Sequence, residues 1–158
     1  MTRLRGAALL ALTILTTTAC TESEAPMASM TDTAAQQIVE RYAEEALDLS
    51  GWSGFSEQRL SPGPCVGRQG EHSDTIYAMQ GTYQLMVPLP QQAAMLQRVK
   101  AGWAAAGYTI TGDRTFPDDS GGEVKATNPA DGAQLRLTSG EPPAMRLLIH
   151  SGCYQRTA

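Results

Sequence analysis

The sequence predicts an α+β domain: an antiparallel sheet of about 4–5 strands with two helices packed on one of its faces. Three observations carry this. Two stretches, 33–49 and 91–106, repeat their apolar residues at helical spacing. Between them, 75–87 alternates apolar and polar residues with period two. After Gly107 the pattern changes to short alternating stretches divided by turn residues, as in a meander. An antiparallel sheet covered on one side only can leave its other face to water.

The first helix is expected over Thr33 to Leu49, where Ala35, Ile38, Val39, Tyr42, Ala46 and Leu49 make one apolar face. Thr33 with Gln36 three residues later resembles a capping box, and Gly51 supplies a stop. Gly51 to Asp74 reads as irregular, with five glycines and two prolines around Ser61-Pro-Gly-Pro-Cys65. A short strand fits near Phe55 to Leu60, and so long a loop calls for something to tie it down. Thr75 to Val87 is expected as a strand with Tyr77, Met79, Tyr83, Leu85 and Val87 on one face. Gly81 falls on that face as a bulge or close-packing point. Pro88 and Pro90 end the strand, and Pro90 suits the first turn of a helix over Gln91 to Ala106. Met95, Leu96, Val99, Trp103 and Ala106 form that helix's buried face, and Gly107 closes it. Strands are then expected over Tyr108 to Arg114, Val124 to Thr127, Gln134 to Thr138 and Ala144 to Ser151. Asn128-Pro-Ala-Asp-Gly132 and Gly140-Glu-Pro-Pro143 are the breaks between the later ones. The last strand carries Met145, Leu147 and Ile149 on one face.

The first nineteen residues stand apart from this fold. Arg3 and Arg5 precede an apolar run from Gly6 to Leu15, then the small residues Thr16-Thr-Thr-Ala19, then Cys20. That order is the layout of an export signal. A retained membrane anchor is the competing reading, but the run has about ten apolar residues where a spanning helix needs roughly 20. Leu15-Thr-Thr-Thr-Ala-Cys20 resembles the lipobox of bacterial lipoproteins, in which a small residue precedes a lipidated cysteine. The family usually carries Leu three residues before that cysteine, where this chain has Thr17. The resemblance implies that Cys20 receives a diacylglyceryl group and becomes the mature N-terminus. Two acyl chains suffice for stable anchoring. The expected organisation is a signal peptide over 1–19, the lipidated cysteine and a polar tether over 20–32, and a single domain over 33–158.

The mature chain as a whole is similar to small cell-envelope lipoproteins of actinobacteria. The early helix, the mid-chain Pro62-Gly-Pro-Cys65, Gly107-Tyr108 after an amphipathic helix, and Ser151-Gly-Cys153 carry the similarity. It implies a location on the extracytoplasmic face of the cell membrane, and most such proteins have no assigned activity. Three cysteines are present. With Cys20 assigned to the lipid, Cys65 and Cys153 remain as a disulfide pair. A bridge over so long a loop stabilises by roughly 4 kcal/mol in the chain-entropy model. Neither cysteine lies in a C-x-x-C motif, and metal sites want more ligands at tighter spacing.

Charge narrows the partners. The formal net charge is −4, and the first nineteen residues contain no acid, so their removal leaves a more acidic domain. Lys100 and Lys125 are the two lysines, and no basic run exists. Nucleic acid is therefore excluded as an expected partner, because phosphate binding needs clustered cations.

No catalytic constellation stands out. Gly51-Trp52-Ser53-Gly54 falls short of a nucleophile elbow, since Phe55 occupies the last glycine position. His72 within Glu71-His72-Ser73-Asp74 and His150 are the two histidines; a solvated loop and a solvent-facing strand position account for them. Asp113, Asp118, Asp119 and Glu123 gather acids around a loop, but not at the spacing of an EF-hand. Trp52 and Phe55, in a glycine-rich segment, are the candidate binding surface, with core packing beneath the loop as the competing reading. No cofactor or metal is implied. The expectation is a non-enzymatic, membrane-anchored domain that binds an envelope protein or a small ligand. The alternatives are a carrier with an apolar pocket between sheet and helices, and an envelope hydrolase using Ser53 or His72.

Overall fold

Thr31, not Thr33, starts the first helix of this computed structural model, which describes residues 27–66, 72–117 and 121–157. The export signal and Cys20 lie outside the described residues, as do Glu71, Asp118 and Asp119. Helix α1 runs over Asp32–Ser50, and the Thr31 hydroxyl accepts from the Ala34 N–H at 3.2 Å. Gln36 closes no capping box; its amide donates to Glu40 at 2.8 Å, one turn on. Gly51 ends the helix with φ 68°, a left-handed conformation that costs glycine little. Helix α2 runs over Leu89–Ala105 with Pro90 in its first turn. Its end is a Schellman motif: the Gly107 N–H donates to Ala104 O at 3.1 Å and the Tyr108 N–H to Trp103 O at 2.9 Å.

The sheet has eight strands: β1 Ser29–Met30, β2 Glu57–Val66, β3 His72–Met86, β4 Thr109–Thr115, β5 Gly122–Thr127, β6 Gln134–Ser139, β7 Ala144–His150 and β8 Tyr154–Arg156. It is larger than the 4–5 strands expected, and it is mixed, because β1 pairs parallel with β8. The later strands form the expected antiparallel meander, β4 to β7 in sequence order. The 15 residues of β3 organise the rest. On one side β3 pairs with β2; on the other it pairs with β7 over 80–86 and with β8 at Ile76 and Tyr77. The segment expected to be irregular is thus half strand. Strand β2 keeps its register with β3 through Ser61-Pro-Gly-Pro64 and shifts it at Cys65, because a strand with one free edge tolerates prolines that a central strand does not. Cys65 and Cys153 form a disulfide with Cα atoms 5.9 Å apart, joining the end of β2 to the link between β7 and β8.

Both helices lie on one face. Ala35, Val39, Tyr42 and Ala46 of α1 and Met95, Leu96, Val99 and Trp103 of α2 share one core with the inward residues of the sheet. Those are Tyr77, Met79, Tyr83 and Leu85 of β3, the alternating Val124 and Ala126, Leu135 and Leu137, and Met145, Leu147 and Ile149. Trp103 is the largest fully buried side chain among the described residues and belongs to this core. Gly81 is the close-packing point: a Cβ there would stand 2.5 Å from Val39 and 2.7 Å from Tyr83.

Candidate functional site

Alternation that sends half of each strand into the core sends the other half to the face without helices. The registers arrange that half in three rows across the sheet. One row, from β4 to β2, is Arg114, Glu123, Thr138, Arg146, Gln84 and Glu57. The next is Gly112, Lys125, Arg136, Leu148, Thr82 and Arg59. The third is Thr109, Thr127, Gln134, His150, Gln80 and Ser61. Among the described residues, five permanent cations, Arg59, Arg114, Lys125, Arg136 and Arg146, thus share these rows with two carboxylates, Glu57 and Glu123, and Glu141 adds a third at the β6–β7 turn. The four arginines are exposed and Lys125 is half-exposed.

Glu123 is the hub of the cationic side. Its carboxylate is 3.0 Å from Lys125 Nζ and also contacts the Arg136 guanidinium. Burial favours the neutral acid, but the Lys125 hydrogen bond and the Arg136 charge prevail and hold the carboxyl below its ordinary range. Among the described residues, Arg59, Arg114 and Arg146 have no ion-pair partner. Recesses among the described residues open on this side. One of about 570 Å³ is bounded by Gln84, Thr138, Glu141, Pro142 and Arg146. A second, of about 400 Å³, is lined by Glu57, Arg59, Thr82, Gln84 and Arg146 and shares two walls with the first. A third, of about 260 Å³, brings Lys125, Arg136 and His150 together with Thr111, Thr127 and Gln134. The opposite layer has the other sign. Along α1 stand Asp32, Glu40, Glu44, Glu45 and Asp48 against Arg41 alone.

One end of the open face is apolar. The Val87 N–H donates to Pro143 O at 2.7 Å, joining the β3–α2 link to the β6–β7 turn. Met86 is 43% exposed there, next to the exposed Pro142 and Pro143 and with the exposed Glu141 in the same turn; Leu89, 40% exposed, opens α2 in the helix layer.

Of the residues singled out from sequence, Glu123 and His150 lie on this face and the others do not. Trp52 and Phe55 are half-buried and packed against the core, with the Phe55 ring 4.8 Å from that of Tyr83. Ser53 is exposed in the α1–β2 link and makes no hydrogen bond among the described residues. Asp113 faces the helix side and pairs with Lys100 of α2. His150 is exposed on the open face. His72 opens β3, eight residues from Gln80, the partner of His150, or about 27 Å along the strand. Among the described residues no three His, Cys, Asp or Glu side chains gather as metal ligands, and no helix is long and apolar enough to cross a membrane.

Sequence reasoning missed the arginines because they are scattered along the chain. The available signal was local: Leu135-Arg136-Leu137, Met145-Arg146-Leu147 and Val124-Lys125-Ala126 each set one cation between two core residues. No protein-family model, curated protein or solved structure matches this chain.

Proposed function

We propose that this chain is a lipid-anchored extracytoplasmic protein, held through Cys20, whose domain binds an anionic component of the cell envelope on the open face of its sheet. One observation carries the binding part: among the described residues, five cations meet three carboxylates on the face without helices, in a chain whose net charge is −4. Charges of one sign gathered on a surface raise the local concentration of opposite ones. The space between sheet and helices, which a carrier would need, holds Trp103, Tyr83, Leu85 and Met95, each 2% exposed or less. The export signal and the lipobox resemblance carry the anchoring part.

Two measurements test the two parts separately. Intact mass of the detergent-extracted protein, with and without reduction and thiol alkylation, should show loss of residues 1–19 and a diacylglyceryl addition on Cys20. Two thiols should be released only on reduction. An unlipidated mass with an intact export signal would overturn the anchor. For the face, the protein in nonionic detergent is passed over phosphocellulose at pH 7 and low salt. Retention is expected despite a sequence pI near 5.1. The Arg136→Glu/Arg146→Glu variant, changed at two exposed positions, should flow through. Flow-through of the unaltered protein would overturn the assignment of the face.

A further inference from the structure

The geometry points to a particular anionic component: we infer that the sheet docks face-down on the anionic lipid headgroups of the membrane that carries the anchor. This rests on the reading above and narrows it. A soluble polyanion would account for Arg59, Lys125, Arg136 and Arg146 but not for Met86, 43% exposed at the end of the same face where β3 meets the Pro142-Pro143 turn. A membrane surface accounts for both, since interfacial binding grows with buried apolar area and with attraction to anionic lipid.

Attachment geometry agrees. The domain begins at β1, which lies beside β8 near Tyr77 of β3. The apolar end lies at Met86, nine residues further along β3, or about 30 Å. Six residues lie between Cys20 and Met27, and the seven steps, fully extended, reach at most about 25 Å. One end of the sheet is therefore held close to the leaflet. Lying flat is the orientation that brings the rows of cations and the Met86 end to the headgroups together. Met86 follows Gln84 by two residues and so projects from the same face. The acidic outer side of α1, with the exposed Glu44 and Asp48, then points away from the anionic surface. The charge asymmetry between the layers thus favours the same orientation as the tether.

The chain supplies its own probe. Lys125 is on the open face, whereas Lys100 is on α2, on the helix side, and these are the two lysines of the sequence. Full-length protein is reconstituted into vesicles of phosphatidylcholine, or of phosphatidylcholine with phosphatidylglycerol, and treated with a water-soluble amine-acetylating reagent. The ratio of Lys125 to Lys100 acetylation is read by peptide mass. Docking predicts a severalfold lower ratio on the anionic vesicles, restored by high salt and by Arg136→Glu/Arg146→Glu. Met86→Ser, which changes no charge, should restore it in part. An equal ratio on both vesicle types would overturn the inference. If phosphocellulose retention persisted alongside that equal ratio, the face would be a site for a soluble polyanion. A missing lipid on Cys20 is read independently by mass, and vesicles added from outside then test the face without the anchor.

Discussion

The Tyr42 hydroxyl donates to Asp131 Oδ2 at 2.6 Å and accepts from Asn128 Nδ2 at 2.8 Å, so one phenol fastens α1 to the turn before β6. Burial, then the Asp131 carboxylate, pushes its pKa up to about 12. Tyr83 is likewise raised to about 12, first by burial and then by Glu40 and Glu44. Tyr108 is raised further, by burial and by its hydrogen bond to Glu45 at 2.8 Å. Tyr77 and Tyr154 shift the same way, chiefly by burial. A group raised in the folded state contributes stability that is present below its unfolded value and lost as pH rises through the folded one. Native protein should therefore keep its tyrosinate absorbance at 295 nm low through pH 10 and gain it cooperatively, with loss of circular dichroism, toward pH 12. Ordinary titration near pH 10 with the fold intact would contradict this. Glu123 shifts the other way: its contribution is present above the usual carboxylate range and lost as pH falls through its lowered value. The same carboxylate offsets part of the charge on the face. Glu123→Gln frees Lys125 and Arg136, so the variant should leave phosphocellulose at higher salt than the unaltered protein. Elution at unchanged salt would mean that those two cations take no part in anion binding.

The elements differ in how much room they leave for a methyl group. A Cβ at Gly81 of β3 would meet Val39 and Tyr83, which are 0% and 1% exposed, and Val is stiff at χ1. At Gly102 of α2 the Cβ would meet Leu49 Cδ2 at 2.4 Å, the far end of a half-buried, rotatable side chain. Gly81→Ala is accordingly expected to cost about 1–3 kcal/mol, the range for overpacking. For Gly102→Ala, about 1 kcal/mol of helix propensity opposes the shift of Leu49, and the net should be small. Urea midpoints of the two variants check the ranking, and a Gly102→Ala loss equal to that of Gly81→Ala would show that Leu49 is as fixed as Val39. The same contrast explains what was legible in the sequence. Both helices, β3 and the meander follow from periodicity, and their inward residues are the core. The first part of β2 was legible as the short strand near Phe55 to Leu60, but its continuation to Val66 was hidden because Pro62, Gly63 and Pro64 erase its period, while β1 and β8, at two and three residues, are too short to have one. The cationic face was illegible for another reason. Arg136 and Arg146 are ten residues apart in sequence and become neighbours through Thr138, the partner of Arg146, and Arg59 joins them from the first half of the chain. Register creates that face, and no linear run records it.

At the scale of the whole molecule the two ends of the domain are joined to each other. β1 pairs with β8, Arg156 binds Asp32 at 2.7 Å, and its guanidinium lies 4.4 Å over the Tyr77 ring. Both β1 and the closing disulfide belong to this corner. The disulfide spans 88 residues of sequence. In the chain-entropy model a loop of that size restricts the unfolded chain enough to stabilise by about 4–5 kcal/mol. The ion pair between Arg156 and Asp32 is exposed and contributes less, about 0–1 kcal/mol. Reduction should thus lower the urea midpoint far more than Arg156→Ala does. It should also steepen the unfolding slope, because a chain without the cross-link expands and exposes more surface when it unfolds. Cys65→Ala/Cys153→Ala should match the reduced protein in both midpoint and slope. A lowered midpoint with an unchanged slope would instead place the loss in the folded state, in the packing where β2 meets the corner, and the loop-closure account would have to be given up.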